Sequence, residues 1–292
     1  MLLLPKFDYH DPSGLDEACS IMAYHGAEAK ALAGGTDLLV NMKKRLMAPS
    51  HLVHVGRVAS LRQMGADTAG LIIGATVTVS ELAASAEIDR YLPALGQGAR
   101  GLGSPLVRNR ATIGGNICSA RPAADLPPSL LAYAASVVLK REGGERRIPL
   151  ADFFKGPGMT AMAPGELLAA VYVPQPPPNA GAAYLNLGVR SSQDCNIVNV
   201  AAYLEIGADD TIALARIVMG SVGPVPLRAP SAEKALRGEV PSEALFRKAG
   251  AAASGDATPI LDFRGSAGYR RDMVAVLTRR TLTMALEQIR SR

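Results

Sequence analysis

Two glycine pairs in similar surroundings are the residues of this 292-residue chain best able to meet a ligand with bare backbone. Gly34-Gly35 lies in "ALAGGTDLL" (31–39) and Gly114-Gly115 in "TIGGN" (112–116). "ALAGG" reads as a short buried strand and "TDLLVNMKKRL" as a helix, so the first pair falls at a turn that opens a helix. Amides left free at such a turn point outward with partial positive charge and stabilise an anion. Glycine lets oxygen atoms approach with no Cβ in the way, and Thr36 adds a hydroxyl. A plain tight turn explains the same pair equally. "TIGGN" repeats the logic without a long helix: Gly114 and Gly115 are expected to form a second loop of outward amides, with Thr112 and Asn116 as side-chain donors. One nest suits one phosphate, so two loops suggest the two sides of a diphosphate. Downstream, Asp125 cannot neutralise phosphate but can accept bonds from ribose-like hydroxyls. It can also simply cap the helix "LPPSLLAY" (126–133).

Other patterns carry less. "GQGARG" (96–101) fits a dinucleotide fingerprint, but that motif works only directly after a buried strand. Here "EIDRYLPAL" (87–95) reads as helical. No phosphate-loop motif ending in Gly-Lys-Ser/Thr occurs, and no Ser-His-Asp or Cys-His group has local support, so no catalytic residue is assigned. Cys19, Cys118 and Cys195 are too few for a four-thiolate cluster and odd in number, which excludes a disulfide framework. Cys118 reads as a packed apolar side chain rather than a reactive one. Among the histidines, His10, His25, His51 and His54, only the last two are close in sequence. Positions 51 and 54 of a strand face opposite ways, so no metal site is expected.

The elements that must position these residues follow from periodicity. A helix is expected from Ser13, with Asp16 as capping partner and Leu15, Ala18, Cys19 and Met22 inward. The helix after Gly35 should bury Leu38, Leu39, Met42 and Leu46, with Asp37 and Lys43 to Arg45 at the ends its dipole favours. Strands are expected at 51–55, 70–74, 136–141, 146–150 and 167–173, and helices at about 78–85 and 91–100. Gly143-Gly144, between two strands, reads as a hairpin turn. "VPQPPPNAGA" (173–182) is the clearest break, because prolines supply no ladder donors and hold the chain extended. Beyond it come strands at 182–190, 196–206 and 211–221, then helices. The last helix (269–288) should turn Met273, Val276, Leu277, Thr281 and Met284 inward. Two domains meeting near residue 177 are therefore expected.

Composition narrows the class. The chain is 48% hydrophobic and 20% charged, as in a folded globular protein. Its net charge of +5 is dispersed, aromatics are 4% and tryptophan is absent, which disfavours nucleic acid. No apolar run reaches membrane-span length, and the start, "MLLLPKFDYH", lacks a signal-peptide core, so a cytoplasmic location is expected.

Taken together, "LAGGTDLL", "RNRATIGGN", "SARPAADLPP" and "SAGYRRDMVAVLTRR" resemble the FAD-binding medium subunit of the molybdenum hydroxylases, the carbon monoxide dehydrogenase and xanthine dehydrogenase type. The likeness runs over nearly the whole chain. It implies an α+β fold: a two-part FAD-binding domain of the vanillyl-alcohol-oxidase (PCMH) type at 1–176, with parts at about 1–56 and 57–176. A C-terminal domain at 180–292, a small antiparallel sheet with helices, is implied to follow. The resemblance places FAD contacts on Leu32, Ala33, Gly34, Gly35, Thr36, Asp37 and Leu38, and on Thr112, Gly114, Gly115, Asn116, Ser119 and Asp125. It adds Gly103 near the flavin, Leu167 and Leu168 as an apolar pair by the ring, and Arg190 at the domain junction. Arg190 can favour an anionic reduced flavin or can be a seam arginine. Where such subunits commonly carry a lysine four residues before that arginine, this chain has Asn186, a departure that weighs against NAD(P) as acceptor. No cysteine-rich [4Fe–4S] insertion is present.

The implied activity is electron transfer within an oxidoreductase complex. An iron–sulfur small subunit with [2Fe–2S] clusters and a molybdopterin large subunit are the implied partners, as a dimer of heterotrimers. A self-sufficient flavin oxidase or reductase, and a nucleotide-binding module without redox work, are the competing readings.

Overall fold

The computed structural model describes residues 3–66, 69–190 and 193–291. Strands β1 (Asp8–His10), β2 (Ala29–Leu32) and β3 (His51–His54) form a parallel sheet in the order β1-β3-β2. Helix α1 (Leu15–His25) joins β1 to β2 and buries Ala18, Cys19 and Met22 in a small core with Val53, Val55 and Leu167. Its cap differs from expectation. Gly14 is the N-cap, and Ser13 donates from N and Oγ to Glu17 at 2.7 and 2.6 Å. Asp16 instead pairs with Lys140 at 2.7 Å. Helix α2 (Leu38–Lys43) is shorter than its apolar spacing suggests. Met42 is buried and Leu38 and Leu39 half-buried, but Arg45 adopts φ +58° and Leu46 is left 71% exposed.

Next along the chain come β4 (Met64–Ala66), β5 (Gly70–Gly74), β6 (Ser136–Arg141), β7 (Gly144–Pro149), the hairpin β8 (Phe154–Gly156) and β9 (Met159–Thr160), and β10 (Leu167–Pro174). All except the hairpin join one antiparallel sheet, ordered β4-β5-β10-β6-β7. Gly143, at φ +78°, makes the β6–β7 turn that its sequence predicts. Between β5 and β6 run α3 (Val79–Ala84), α4 (Ala86–Tyr91), α5 (Pro93–Gly101), α6 (Pro105–Arg108), α7 (Ile113–Cys118) and α8 (Leu126–Ala132). The single helix expected at 91–100 is divided, because Leu92 leaves helical geometry (φ −132°, ψ 53°) and Pro93 restarts the helix at its first position. "GQGARG" lies inside α5, where it forms no phosphate turn.

Strands β11 (Ala180–Leu187), β12 (Val198–Ile206), β13 (Ile212–Gly220) and β14 (Leu227–Arg228) form an antiparallel meander, followed by α9 (Pro230–Leu236), α10 (Glu243–Asp256) and α11 (Ala267–Arg290). This sheet is covered on both faces. Ala201 and Tyr203 of β12 join the core built with α5, α8 and the five-stranded sheet, whereas Val200, Ala202 and Leu204 pack with α10 and α11. A strand buried on both sides reads as a continuous apolar run, as "VAAYL" (200–204) does. The α11 face is rotated from the expected one: Val274, Leu277, Thr278, Thr281, Leu282 and Ala285 are buried, while Met273, Val276 and Met284 are half-buried. The fold is thus α+β, with its small antiparallel sheet in the C-terminal part.

Candidate functional site

The turn after β2 carries the structure's most available donors. The backbone amides of Ala33, Gly34, Gly35, Thr36, Asp37 and Leu38 meet no acceptor among the described residues. Consecutive unpaired amides at a strand–turn–helix junction form an anion-binding concavity. Gly35 turns the chain with φ +74°, and Leu32 lies against it. Thr36 is exposed beside the turn. Asp37 and Asn41 are held by Arg121, whose Nη2 reaches Asp37 Oδ1 at 2.8 Å and Asn41 Oδ1 at 3.3 Å. Sequence reasoning passed over Arg121, although it stands inside "SARPAADLPP".

The second glycine pair comes to the same place. A Cβ on Gly34 would lie 1.7 Å from the Arg110 carbonyl oxygen and 3.1 Å from the Ala111 nitrogen. The two glycine-bearing segments therefore touch, backbone on backbone. The second segment is not the expected loop of free amides, however. Residues 113–118 are helix α7, capped by Thr112, whose Oγ1 accepts from Gly115 N at 3.0 Å. Ile113 N donates to Val77 O at 3.0 Å, Gly114 N to Ala75 O at 2.9 Å, and Asn116 N to Thr112 O at 2.9 Å. The amides are spent on anchoring α7 to the chain beyond β5. A Cβ on Gly114 would strike Ala75 at 2.7 Å, whereas one on Gly115 would meet only Thr112 Oγ1, at 3.0 Å. Of this pair, Gly115 alone is bare toward the open side, and it is exposed.

From α7 the polar track continues into the C-terminal sheet. Asn116 Oδ1 accepts from Leu126 N at 3.4 Å, leaving its amide donors without a partner among the described residues, and Ser119 Oγ donates to Asn116 O at 2.8 Å. Asp125 is buried at the head of α8 but makes no side-chain cap. Its Oδ1 accepts from Asn196 Nδ2 at 2.8 Å, Tyr184 Oη at 2.9 Å and Asn186 Nδ2 at 3.5 Å. Burial pushes the Asp125 carboxyl above the usual carboxylate range, against the lowering by its bonds from Asn196 and Tyr184. The other oxygen, Oδ2, takes no hydrogen bond among the described residues, so an outside hydroxyl can use it. Asn196 also donates to Ala123 O at 3.0 Å, and Asn199 to Ala124 O at 3.1 Å. These asparagines were not singled out from sequence; Asn199 is an amide in the otherwise apolar strand β12, and Asn196 stands two residues before that strand.

The remaining expected residues are distributed differently. Gly103, at φ +52°, lies in the turn between α5 and α6. Nearby, a Cβ on Gly101 would sit 3.5 Å from Asn186 Oδ1. Leu167 and Leu168 do not present one apolar surface. Neighbours on a strand face opposite ways, and Leu167 enters the α1 core while Leu168 enters the core of the five-stranded sheet. Arg190 stands on an exposed turn, its Nη2 donating to Gln193 O at 2.8 Å and its backbone N to Asp194 at 2.9 Å. Cys118 rests 3.7 Å from Met162 sulfur, and burial pushes its thiol up to about 12, which makes it inert as read from sequence.

Unpaired amides at residues 33–38, a bare Gly115 and a buried carboxylate with one open oxygen together fit a diphosphate joined to a hydroxyl-bearing chain. Residues 5–176 match the family described as the FAD binding domain in molybdopterin dehydrogenase. The chain belongs to this family. Residues 183–285 match the CO dehydrogenase flavoprotein C-terminal domain. This FAD-binding chain is 32% identical over 284 residues to the carbon monoxide dehydrogenase medium chain of Hydrogenophaga pseudoflava, covering 97% of this chain and 98% of that one. It is 29% identical over 280 residues to the xanthine dehydrogenase FAD-binding subunit of Escherichia coli O157:H7, covering 95% of each. Among solved structures, the Hydrogenophaga pseudoflava carbon monoxide dehydrogenase superposes with a TM-score of 0.93 at 33% identity, covering 98% of this chain and 99% of the other. Quinoline 2-oxidoreductase from Pseudomonas putida 86 gives 0.92 at 28%, with coverage of 98% and 99%. The protein is a flavoprotein subunit of the oxidoreductase class. Among its described residues no helix is long and apolar enough to cross a membrane.

Proposed function

We propose that this chain carries the FAD of a multi-subunit molybdopterin dehydrogenase and passes electrons between a partner's iron–sulfur clusters and an external acceptor. The observation that carries the reading is the run of unpaired amides from Ala33 to Leu38, held in backbone contact with Arg110. In this reading those amides bind the diphosphate, with Thr36, Gly115 and the Asn116 amide beside them. Asp125 Oδ2 accepts a ribityl or ribose hydroxyl, while Tyr184, Asn186 and Asn196 fix the carboxylate from behind. Bound FAD supplies the exchange between single electrons and electron pairs. The chain's own part is to hold and orient, which needs no acid or base.

The partners follow from the same reading: an iron–sulfur small subunit with [2Fe–2S] clusters and a molybdopterin large subunit, assembled as a dimer of heterotrimers in the cytoplasm. Names such as "medium chain" and "dehydrogenase complex subunit alpha" among the relatives support a multi-chain assembly. The division into 1–176 and 180–292 is supported by the proline-rich segment between β10 and β11. Asn186 donates to Asn196 Oδ1 at 2.8 Å and supplies no cation at the seam, which supports an acceptor other than an anionic dinucleotide.

Isolation of the chain from its own cells tests the proposal. FAD, iron and molybdenum in fixed ratio in one particle are expected, with flavin absorbance bleaching when the complex is given its electron donor. Turnover by the isolated chain, with no metal-bearing partner, would instead establish a self-sufficient flavin oxidase or reductase.

A further inference from the structure

Residues far apart in sequence place three imidazoles together at the end of the N-terminal sheet. His10 ends β1, His51 begins β3 and His25 ends α1. Their ligating nitrogens all lie within 4.8 Å of one another. His10 Nε2 and His51 Nδ1 are 3.2 Å apart, and the His25 and His51 rings stack with centroids at 3.6 Å. Asp8 brings a carboxylate oxygen to 3.7 Å from His51 Nδ1. His51 therefore has its neighbours through the fold, while His54, three residues on, faces away toward Tyr9 and Asp11 at 2.8 and 3.3 Å.

We propose that His10, His25 and His51, with Asp8 as fourth ligand, form a binding site for one Zn2+ ion that ties β1, β3 and α1 together. Tetrahedral zinc with nitrogen ligands at about 2.0–2.1 Å requires ligand–ligand edges of about 3.3–3.4 Å. The His10–His51 separation is close to such an edge, whereas His25, stacked on His51, and the exposed Asp8 must each turn about their side-chain bonds to complete the tetrahedron. Three imidazoles and one carboxylate are a donor set that suits zinc, whereas magnesium and calcium take oxygen ligands.

The site also has a mechanical reason. The core under α1 contains nine buried residues, Ala18 and Cys19 among them, most of them small. A core of that size gains from a staple. The cluster sits at the start of β3, and the Ala33–Leu38 turn leaves the far end of its parallel neighbour β2, so the ion would brace the flavin turn's sheet without touching flavin.

Equilibrium dialysis of the untagged, FAD-loaded chain against Zn2+ tests this, together with thermal unfolding. About one Zn2+ per chain and a raised Tm are expected. His51→Ala and His25→Ala should each weaken binding by more than the roughly 10–100-fold that loss of an outer-shell partner causes. Both variants should keep their flavin spectrum, and His54→Ala should bind like the parent. Failure of the parent chain to bind Zn2+, or binding unchanged by both His51→Ala and His25→Ala, would overturn the proposal. Because flavin content is read separately, loss of the zinc site and loss of the FAD assignment are distinguishable.

Discussion

The four glycines of the two pairs are bare for different reasons. Gly34 makes room for the Arg110 carbonyl, Gly114 for Ala75, and Gly35 supplies a left-handed φ; only Gly115 leaves space facing outward. Gly115→Ala should therefore fold with only a small loss of stability, from the press of its Cβ on Thr112 Oγ1, yet lose FAD, read as a lower flavin-to-protein ratio after gel filtration. Gly34→Ala should separate the two segments and lower stability as well, visible as a lower Tm. Asp125 adds a pH signature. Its folded-state value lies above the unfolded one of about 3.8, so between the two the folded state binds more protons. Stability attributable to Asp125 is then full below that window and declines as pH rises through it. Asp125→Asn keeps the Oδ1 acceptor and should remove this decline, a difference that urea unfolding at several pH values will show. The glycine pairs and Asp125 stand out in the sequence; the reasons for Gly34 and Gly114 do not, because the backbone atoms that require them lie some 40 to 80 residues away.

At the scale of elements, sequence periodicity located the strands well and the helices less well. Four strands of the five-stranded sheet lie close to their expected positions, whereas the three-residue edge strand β4 is too short to show a period in the sequence. The length of α2 was misread, since nothing in "KKRLM" announces the positive φ at Arg45. The rotation of α11 has a visible anchor. Arg270 is buried and donates to Ile197 O at 3.0 Å, Ser221 O at 2.9 Å and Asp262 at 2.7 Å. The Arg264 backbone N–H, with the Arg270 and Arg264 guanidinium groups, holds Asp262 below the usual carboxylate range despite its desolvation. Arg270→Ala leaves the Ile197 and Ser221 carbonyls without this donor, while Asp262 keeps its bonds from Arg264, and should cost about 1–3 kcal/mol for each carbonyl, measured by urea unfolding. Thr112→Ala removes the α7 cap and should cost about 1 kcal/mol by the same assay.

For the whole molecule, the site depends on parts that sequence separates. The turn after β2, the head of α7 and the Asp125 cluster come from three stretches of chain, and behind the carboxylate stand Tyr184 and Asn186 of β11 and Asn196 from the segment before β12. That sheet shares a core with the flavin-binding part through Ala182, Tyr184, Ala201 and Tyr203, so the two parts support one site. The central claim is that the Ala33–Leu38 amides recognise a diphosphate rather than an isoalloxazine ring alone. Titration of flavin-free chain with FAD and with riboflavin, followed by fluorescence, tests it most directly. About one FAD per chain should bind, with riboflavin far weaker because it carries the ring without phosphates. Equal affinity for the two, or no affinity for FAD, would contradict the account.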